Sequence, residues 1–197
     1  MFLFFTDILH REIMDRYGRF LGYPFDFTAK FDEPYPRLTS IILSRSRFCR
    51  RYLEIPWTDV QFNDEHFSLR HALDTYSIKS EYRRDGVPTL RHNVLDQQVV
   101  DTFNRKLVRI NDLHLLSVGG ELRIAHVDIG IRGLVRRLGW EPAVDFVVRA
   151  FNRHATYLNV SSFIGWKYIQ PLSIQDAAGK IQLNVDQQTL RSIPPSD

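Results

Sequence analysis

Apolar and polar positions along this chain follow one pattern twice. Residues Ile8 to Leu43 lie on Val94 to Ile129 at a constant offset of 86 positions, without a gap. Leu9 then meets Leu95, Asp15 meets Asp101, Arg19 meets Arg105, Leu21 meets Leu107, Asp26 meets Asp112 and Arg37 meets Arg123. The apolar positions between these identities agree as well: Ile8 with Val94, Ile13 with Val99, Leu38 with Ile124, Ile41 with Val127 and Leu43 with Ile129. Gly18 meets Asn104, and both residue types tolerate a left-handed turn. A second match sets Ile55-Pro56-Trp57-Thr58-Asp59-Val60 on Ile164-Gly165-Trp166-Lys167-Tyr168-Ile169, at an offset of 109. The second copy therefore carries 23 extra residues between its halves. The pattern predicts two copies of one small domain rather than one large domain.

Within each copy the pattern predicts strands. Asp15-Arg16-Tyr17-Gly18-Arg19 reads as a turn between the arms Ile8–Met14 and Phe20–Phe27. Asp32-Glu33-Pro34-Tyr35-Pro36 reads as a second turn, because proline fixes φ and removes donors. Leu38–Ser44 is β-branched and apolar, as a buried strand is. Tyr52–Val60 and Phe67–Leu69 add short strands. The second copy repeats the hairpin around Asp101-Thr102-Phe103-Asn104 and turns again at Gly119-Gly120. The insert differs: Ile131, Leu134, Val135 and Leu138 recur at helical spacing, with Gly139 suited to end that helix and Pro142 to start another. The expected boundaries are a first β domain over 1–70, a linker over 71–92 with a helical turn at its start, and a second β domain over 93–186 with a helical insert at about 131–154.

Composition places the chain among ordinary folded proteins, with 44% hydrophobic and 25% charged residues. Aromatics reach 13%, as suits small β domains that fill a thin core with bulky side chains. The formal charge of +3 reflects a small arginine excess, not a dense basic tract, and so disfavours nucleic acid as the main partner. The one cysteine, Cys49, excludes an internal disulfide and suits a reducing compartment. No apolar run approaches the roughly 20 residues needed to cross a bilayer, and the apolar start at Met1–Phe5 reads as a first strand. A cytoplasmic location is expected.

Several stretches resemble a known family. Asn93 to Asp101, followed by Leu107-Val108-Arg109-Ile110-Asn111-Asp112, is similar to PRC-barrel-type domains. Val127 to Gly139 resembles the matching segment of bacterial proteins described as magnesium transporters, in which tandem PRC-like domains precede an MgtE-type intracellular domain. Tyr35–Arg45 and Ile55–Val60 fit the first domain of such proteins, and Leu190–Asp197 resembles the opening of their helical domain, with Ile193 and Pro194 in place of Leu-His. The resemblance implies a mainly β fold of two tandem small PRC-like β-barrels, with 187–197 beginning a following helical domain. It implies neighbouring MgtE-type intracellular and CBS-type domains as partners, and tethering to the inner membrane if the whole protein has membrane spans. PRC-like barrels also occur in a ribosome-maturation factor and in the cytoplasmic subunit of photosynthetic reaction centres, where they contact other macromolecules without doing chemistry.

Candidate chemistry is sparse. Asp15, Asp26, Asp101, Asp112 and Asp128 offer the oxygen donors a hard cation prefers. For Asp15 and Asp101, capping of their own turns is favoured over metal, and recurrence of Asp26 at Asp112 favours a shared structural task. Asp112 and Asp128 are the retained magnesium candidates, although no ligand cluster surrounds them; Asp128 is expected to be buried and paired. The histidines show no zinc spacing, Cys49 has no catalytic partner, and no nucleotide or hydrolase motif occurs. Two arginine-rich stretches, 45–51 and 132–137, read first as solvated faces. As an interface, Arg132, Arg136, Arg137 and Trp140 combine charge with an apolar stripe and are placed to meet a partner domain, a second copy of the chain or a membrane surface. The expectation is a module without catalytic residues or a cofactor, serving regulation or assembly of a magnesium transporter. The alternative is an RNA- or ribosome-binding adaptor.

Overall fold

The computed structural model describes residues 2–44, 51–63, 65–76, 78–79, 87–130, 135, 140, 163–171, 174–175 and 181–182. The chain is mainly β. Its first half holds β1 (Phe2–Phe4), α1 (Phe5–Leu9), β2 (Glu12–Met14), β3 (Phe20–Gly22), β4 (Pro24–Lys30), β5 (Arg37–Ser44), β6 (Tyr52–Pro56), β7 (Val60–Phe62), β8 (His66–Leu69) and β9 (Ile78–Lys79). Then follow α2 (Leu90–Asn93), β10 (Gln98–Asp101), β11 (Lys106–Arg109), β12 (Asp112–Val118), β13 (Glu121–Asp128), β14 (Phe163–Gly165), β15 (Ile169–Pro171), β16 (Ile174–Gln175) and β17 (Ile181–Gln182). Single 3-10 turns occupy Trp57–Asp59, Leu73–Thr75 and Trp166–Tyr168, the second of them the helical turn expected at the start of 71–92. The largest sheet runs β1-β12-β13-β5-β6-β9, with β4 also on β5 and β14 on β13. No sheet closes on itself among the described residues.

Two compact units divide the chain. One comprises residues up to Val94 together with Leu115–Ile124; the other comprises Leu95–His114 and the residues from Ala125 on. The tip of the β12–β13 hairpin therefore packs with the first unit, although its sequence places it in the second copy. Gly119 and Gly120 form that tip with φ of 58° and 84°. Two successive positive φ values match the right-handed twist of the flanking strands, and glycine adopts them without a Cβ clash.

The core of the first unit is aromatic. Phe27 of β4 meets Phe5 of α1 at 5.7 Å and Phe67 of β8 at 5.9 Å between ring centres. Trp57 meets Phe67 edge-on at 6.1 Å, and Ile8, Ile13, Ile41 and Ile55 are fully buried around them. Edge-to-face aromatic packing adds to the area term, so a few rings fill a thin core. In the second unit Val100, Ile110, Leu113 and Val127 are buried, with Ile164 nearly so.

The strand register follows the sequence repeat. In the first copy Ser40, Ile41 and Ile42 pair with Pro56, Ile55 and Glu54. In the second, His126, Val127 and Asp128 pair with Gly165, Ile164 and Phe163. Each pair maps onto the other at the two offsets, 86 for one strand and 109 for its partner. Likewise Ile13 pairs with Gly22 and Val99 with Val108. A one-residue slip would turn every side chain to the wrong face, so matching registers preserve matching cores.

Several expectations need correction. Phe5–Leu9 is a short helix, not strand, because Phe5 and Ile8, three apart, both turn into the core. The run Tyr52–Val60 is broken at Trp57, where a 3-10 turn lets the indole reach inward and donate to the Gly120 carbonyl at 2.8 Å. The described part of 71–92 is packed rather than a tether: β9 pairs with β6, Thr89 bridges Thr28, and Leu90 is fully buried. The left-handed residue of the second hairpin is Arg105, at φ 52°, and not Asn104; Gly18 holds that role in the first. Within the expected insert only Val135 and Trp140 are described. Val135 is helical, and the Trp140 N–H bonds to its carbonyl at 3.1 Å.

Candidate functional site

The candidate aspartates serve the backbone. Asp15 Oδ1 accepts from the N–H groups of Tyr17 at 2.8 Å and Arg19 at 2.9 Å, while Oδ2 accepts from Arg19 Nε at 2.6 Å. Burial pushes against the charge of Asp15, but the Arg19 and Tyr17 donors outweigh it and hold the carboxyl below its usual range. Asp101, at the matching turn, accepts from the N–H groups of Phe103 and Asn104 at 3.0 and 3.1 Å and from the Asn104 side chain at 2.6 Å. Such bonds define Asx turns, in which the carboxylate replaces a missing backbone acceptor.

Asp26 and Asp112 share another task. Each is fully buried and accepts the N–H of the next residue, Phe27 at 2.7 Å and Leu113 at 2.8 Å. Asp26 Oδ1 also accepts the Arg91 N–H at 2.8 Å, tying the start of α2 to β4. Burial pushes the Asp26 pKa up; the Arg91 and Phe27 N–H groups and the Thr89 hydroxyl offset part of that shift. Asp128 is buried, and its Oδ1 accepts the Gly130 N–H at 2.8 Å. Among the described residues, no three histidine, cysteine or acidic side chains gather as metal ligands, so Asp112 and Asp128 are not joined by a third.

The expected arginine interface falls mostly outside the described residues: Arg132, Arg136 and Arg137 lie there, as do Cys49 and most of the 45–51 stretch. Trp140 is described and is 63% exposed.

The structure brings forward surfaces that the sequence did not single out. At matching positions of the two hairpin tips, Tyr17 and Phe103 stand 65% and 73% exposed. The guanidiniums of Arg16 and Arg19 lie over the Tyr17 ring, at 4.7 and 5.3 Å from its centre. Phe103 packs on Tyr168 at 5.4 Å, and the Lys167 ammonium lies over Tyr168 at 4.8 Å. The signal was present in the alignment, since Tyr17 and Phe103 share the 86-residue offset, but a turn aromatic attracts little notice beside a turn aspartate.

Behind the first tip lies an open groove of about 800 Å³, whose lining includes Arg16, Thr58, His66, Ser68, Arg70 and His71. Its shape comes from β8, which runs parallel to β2 and antiparallel to β7 and so separates them. Asp59 at its edge takes the Thr58 hydroxyl at 3.3 Å and lies 3.9 Å from His71. Nearby, the Tyr76 hydroxyl is pushed up to about 12, first by burial and then by the Asp59 carboxylate, so it stays protonated.

A third cluster holds the β12–β13 hairpin on β5 in the first unit. Arg37 pairs across the sheet with Arg123, its own equivalent in the repeat. Glu33 and Glu121 alternate with them: Arg37 reaches Glu33 and Glu121 at 3.3 Å each, and Arg123 holds Glu121 at 2.6 Å and also binds Glu33. Glu33 first, then Glu121, raises the Arg123 pKa.

In the second unit His114 and His126 face each other at 5.6 Å, and Phe163 stacks on His114 at 5.0 Å. Compared with models of protein families, with curated proteins and with solved structures, the chain finds no match.

Proposed function

We propose that this chain is a non-catalytic interaction module, built as two tandem small PRC-like β-barrels of which the second carries a helical insert. Its setting is the cytoplasmic side of an MgtE-type magnesium transport protein, tethered to the inner membrane if the whole protein has membrane spans, where it serves regulation or assembly. The observation that carries the reading is the repeated hairpin tip. A large aromatic stands mostly in solvent at the same position of both copies; Arg16 and Arg19 lie over Tyr17 in the first, and in the second Phe103 packs on Tyr168, over which Lys167 lies. Exposed aromatic rings with arginine are the side chains that dominate binding energy at protein interfaces. The aspartates beside them support this reading, because their oxygens are spent on shaping the tips.

Such a module couples its neighbours, the MgtE-type intracellular and CBS-type domains, by binding one of their arrangements better than another. Magnesium then acts on the module only through that difference in affinity. Calorimetry of the chain against the intracellular domain of an MgtE-type transporter tests this. Saturable binding that weakens at least about tenfold when Tyr17 and Phe103 are both changed to Ser is expected, as for loss of interface anchors. Binding unaffected by that double change, or no binding, refutes the proposal.

The two guanidiniums over Tyr17 favour a second reading, an RNA- or ribosome-binding adaptor, since arginine and aromatic faces also hold single strands. RNA affinity that falls steeply with salt and depends on Arg16 and Tyr17 supports it. No association with RNA at low salt removes it.

A further inference from the structure

Among the described residues, the two copies differ where the hairpin turn meets the 3-10 turn. In the second copy β10 pairs directly with β15, in the order β11-β10-β15. There Thr102 closes the gap: its N–H and its hydroxyl both donate to the Tyr168 carbonyl at 2.9 Å. Phe103 adds its ring against Tyr168. In the first copy the equivalents of Thr102 and Tyr168 are Arg16 and Asp59. β8 lies between their strands, in the order β3-β2-β8-β7, and the space that Thr102 closes in one copy is the open groove in the other.

We infer that this groove of the first unit binds a small phosphate-bearing anion, held chiefly by Arg16 and Arg70. Both side chains are exposed, line the groove and form no ion pair with a carboxylate among the described residues. Of the two acidic groups of the same groove, Asp15 gives both oxygens to its own turn, and Asp59 takes the Thr58 hydroxyl and faces His71 at 3.9 Å. Arg16 stacks on the Tyr17 ring, a contact that uses the face of the guanidinium and none of its N–H donors, so both arginines keep donors for an outside anion.

Their backbones are fixed as well. Arg16 belongs to the turn that Asp15 caps, with the Gly18 N–H closing on the Asp15 carbonyl at 3.0 Å. The Arg70 N–H donates to the Asp59 carbonyl at 2.9 Å. A guanidinium on an anchored backbone loses less freedom on binding, and its planar fork suits the paired oxygens of a phosphate. Ser68, Gln61, His66 and His71 add neutral or basic donors around the same space. The volume lies in the range of small-molecule sites, and its polar lining suits a charged ligand rather than an apolar one.

The test titrates the full chain with inorganic pyrophosphate at constant ionic strength and follows backbone amides by NMR. The expected result is saturable shifts at Arg16–Gly18 and Ser68–His71. Arg16→Ala and Arg70→Ala, both exposed positions, should each weaken the affinity by at least about tenfold, the scale of one lost charge-assisted contact. Arg109→Ala in the second unit, which breaks the Arg109–Asp96 ion pair away from the groove lining, should leave it unchanged. Shifts that rise without saturating, or equal weakening by all three variants, overturn the inference, as does association with anionic vesicles alone and not with pyrophosphate.

Discussion

At the scale of single residues, two buried carboxylates, Asp15 and Asp26, have opposite pH signatures. The Asp15 pKa is lowered in the folded chain, so its contribution is present above the unfolded value and is lost as pH falls through the folded one. The Asp26 pKa is raised, so the folded state holds its proton more tightly. Its contribution is greatest below the unfolded pKa and declines as pH rises through the raised folded pKa. Asp26→Asn keeps an acceptor for the Phe27 and Arg91 N–H groups without the charge. Its stability relative to the parent should therefore grow with pH across that window, read from urea midpoints at several pH values. Asp26→Ala leaves the buried Phe27 N–H and the part-buried Arg91 N–H without that acceptor and should cost about 2 kcal/mol. Should the Asn variant instead lose ground as pH rises, the electrostatic account of Asp26 is wrong.

At the scale of elements, the β12–β13 hairpin is the piece whose attachment is most open to test. Its turn needs two positive φ values, so Gly120→Ala should cost about 1 kcal/mol in urea unfolding. Gly165→Ala is the matched control: its φ is not positive, and an added Cβ would meet only the Tyr168 ring at an ordinary 3.5 Å. Trp57→Phe removes the hydrogen bond to the Gly120 carbonyl and should cost about 1–2 kcal/mol. Amide exchange should then quicken at Val118–Leu122 more than at Val99–Asp101. Equal quickening at both would mean that the indole contact does not hold the hairpin.

Elements also show what the sequence could reveal. That Val127 pairs with Ile164 as Ile41 pairs with Ile55 agrees with the repeat, since constant offsets carry one copy's register over to the other, although the pairing itself was not legible. The turn task of Asp15 and Asp101 was legible from residue type alone. α1 was not, since five residues hold too little periodicity to separate helix from strand. The role of β8 was hidden for another reason. It pairs in parallel with β2 from more than fifty positions away, and no local pattern reports such a contact. The groove inherits that obscurity, because its walls come from three separated stretches around residues 14–18, 58–61 and 66–71.

At the scale of the whole molecule, duplication explains why one strand plan supports two different surfaces. A single core pattern is retained in both copies, while the turn regions outside it diverge into an open groove in one and a closed contact in the other. Divergence concentrates there because exposed turns tolerate change that packed strands do not. Both tips nevertheless keep an aromatic that stays mostly in solvent, although Phe103 packs one side on Tyr168 and Tyr17 carries two guanidiniums.

The central claim is that those tips are where this module meets its partner. An amide-resolved NMR map of the chain with the intracellular domain of an MgtE-type transporter tests it most directly. The account predicts shifts concentrated at Arg16–Phe20 and Thr102–Lys106, with the strands behind them little changed. Shifts spread over the sheet faces, with both tips silent, would contradict it.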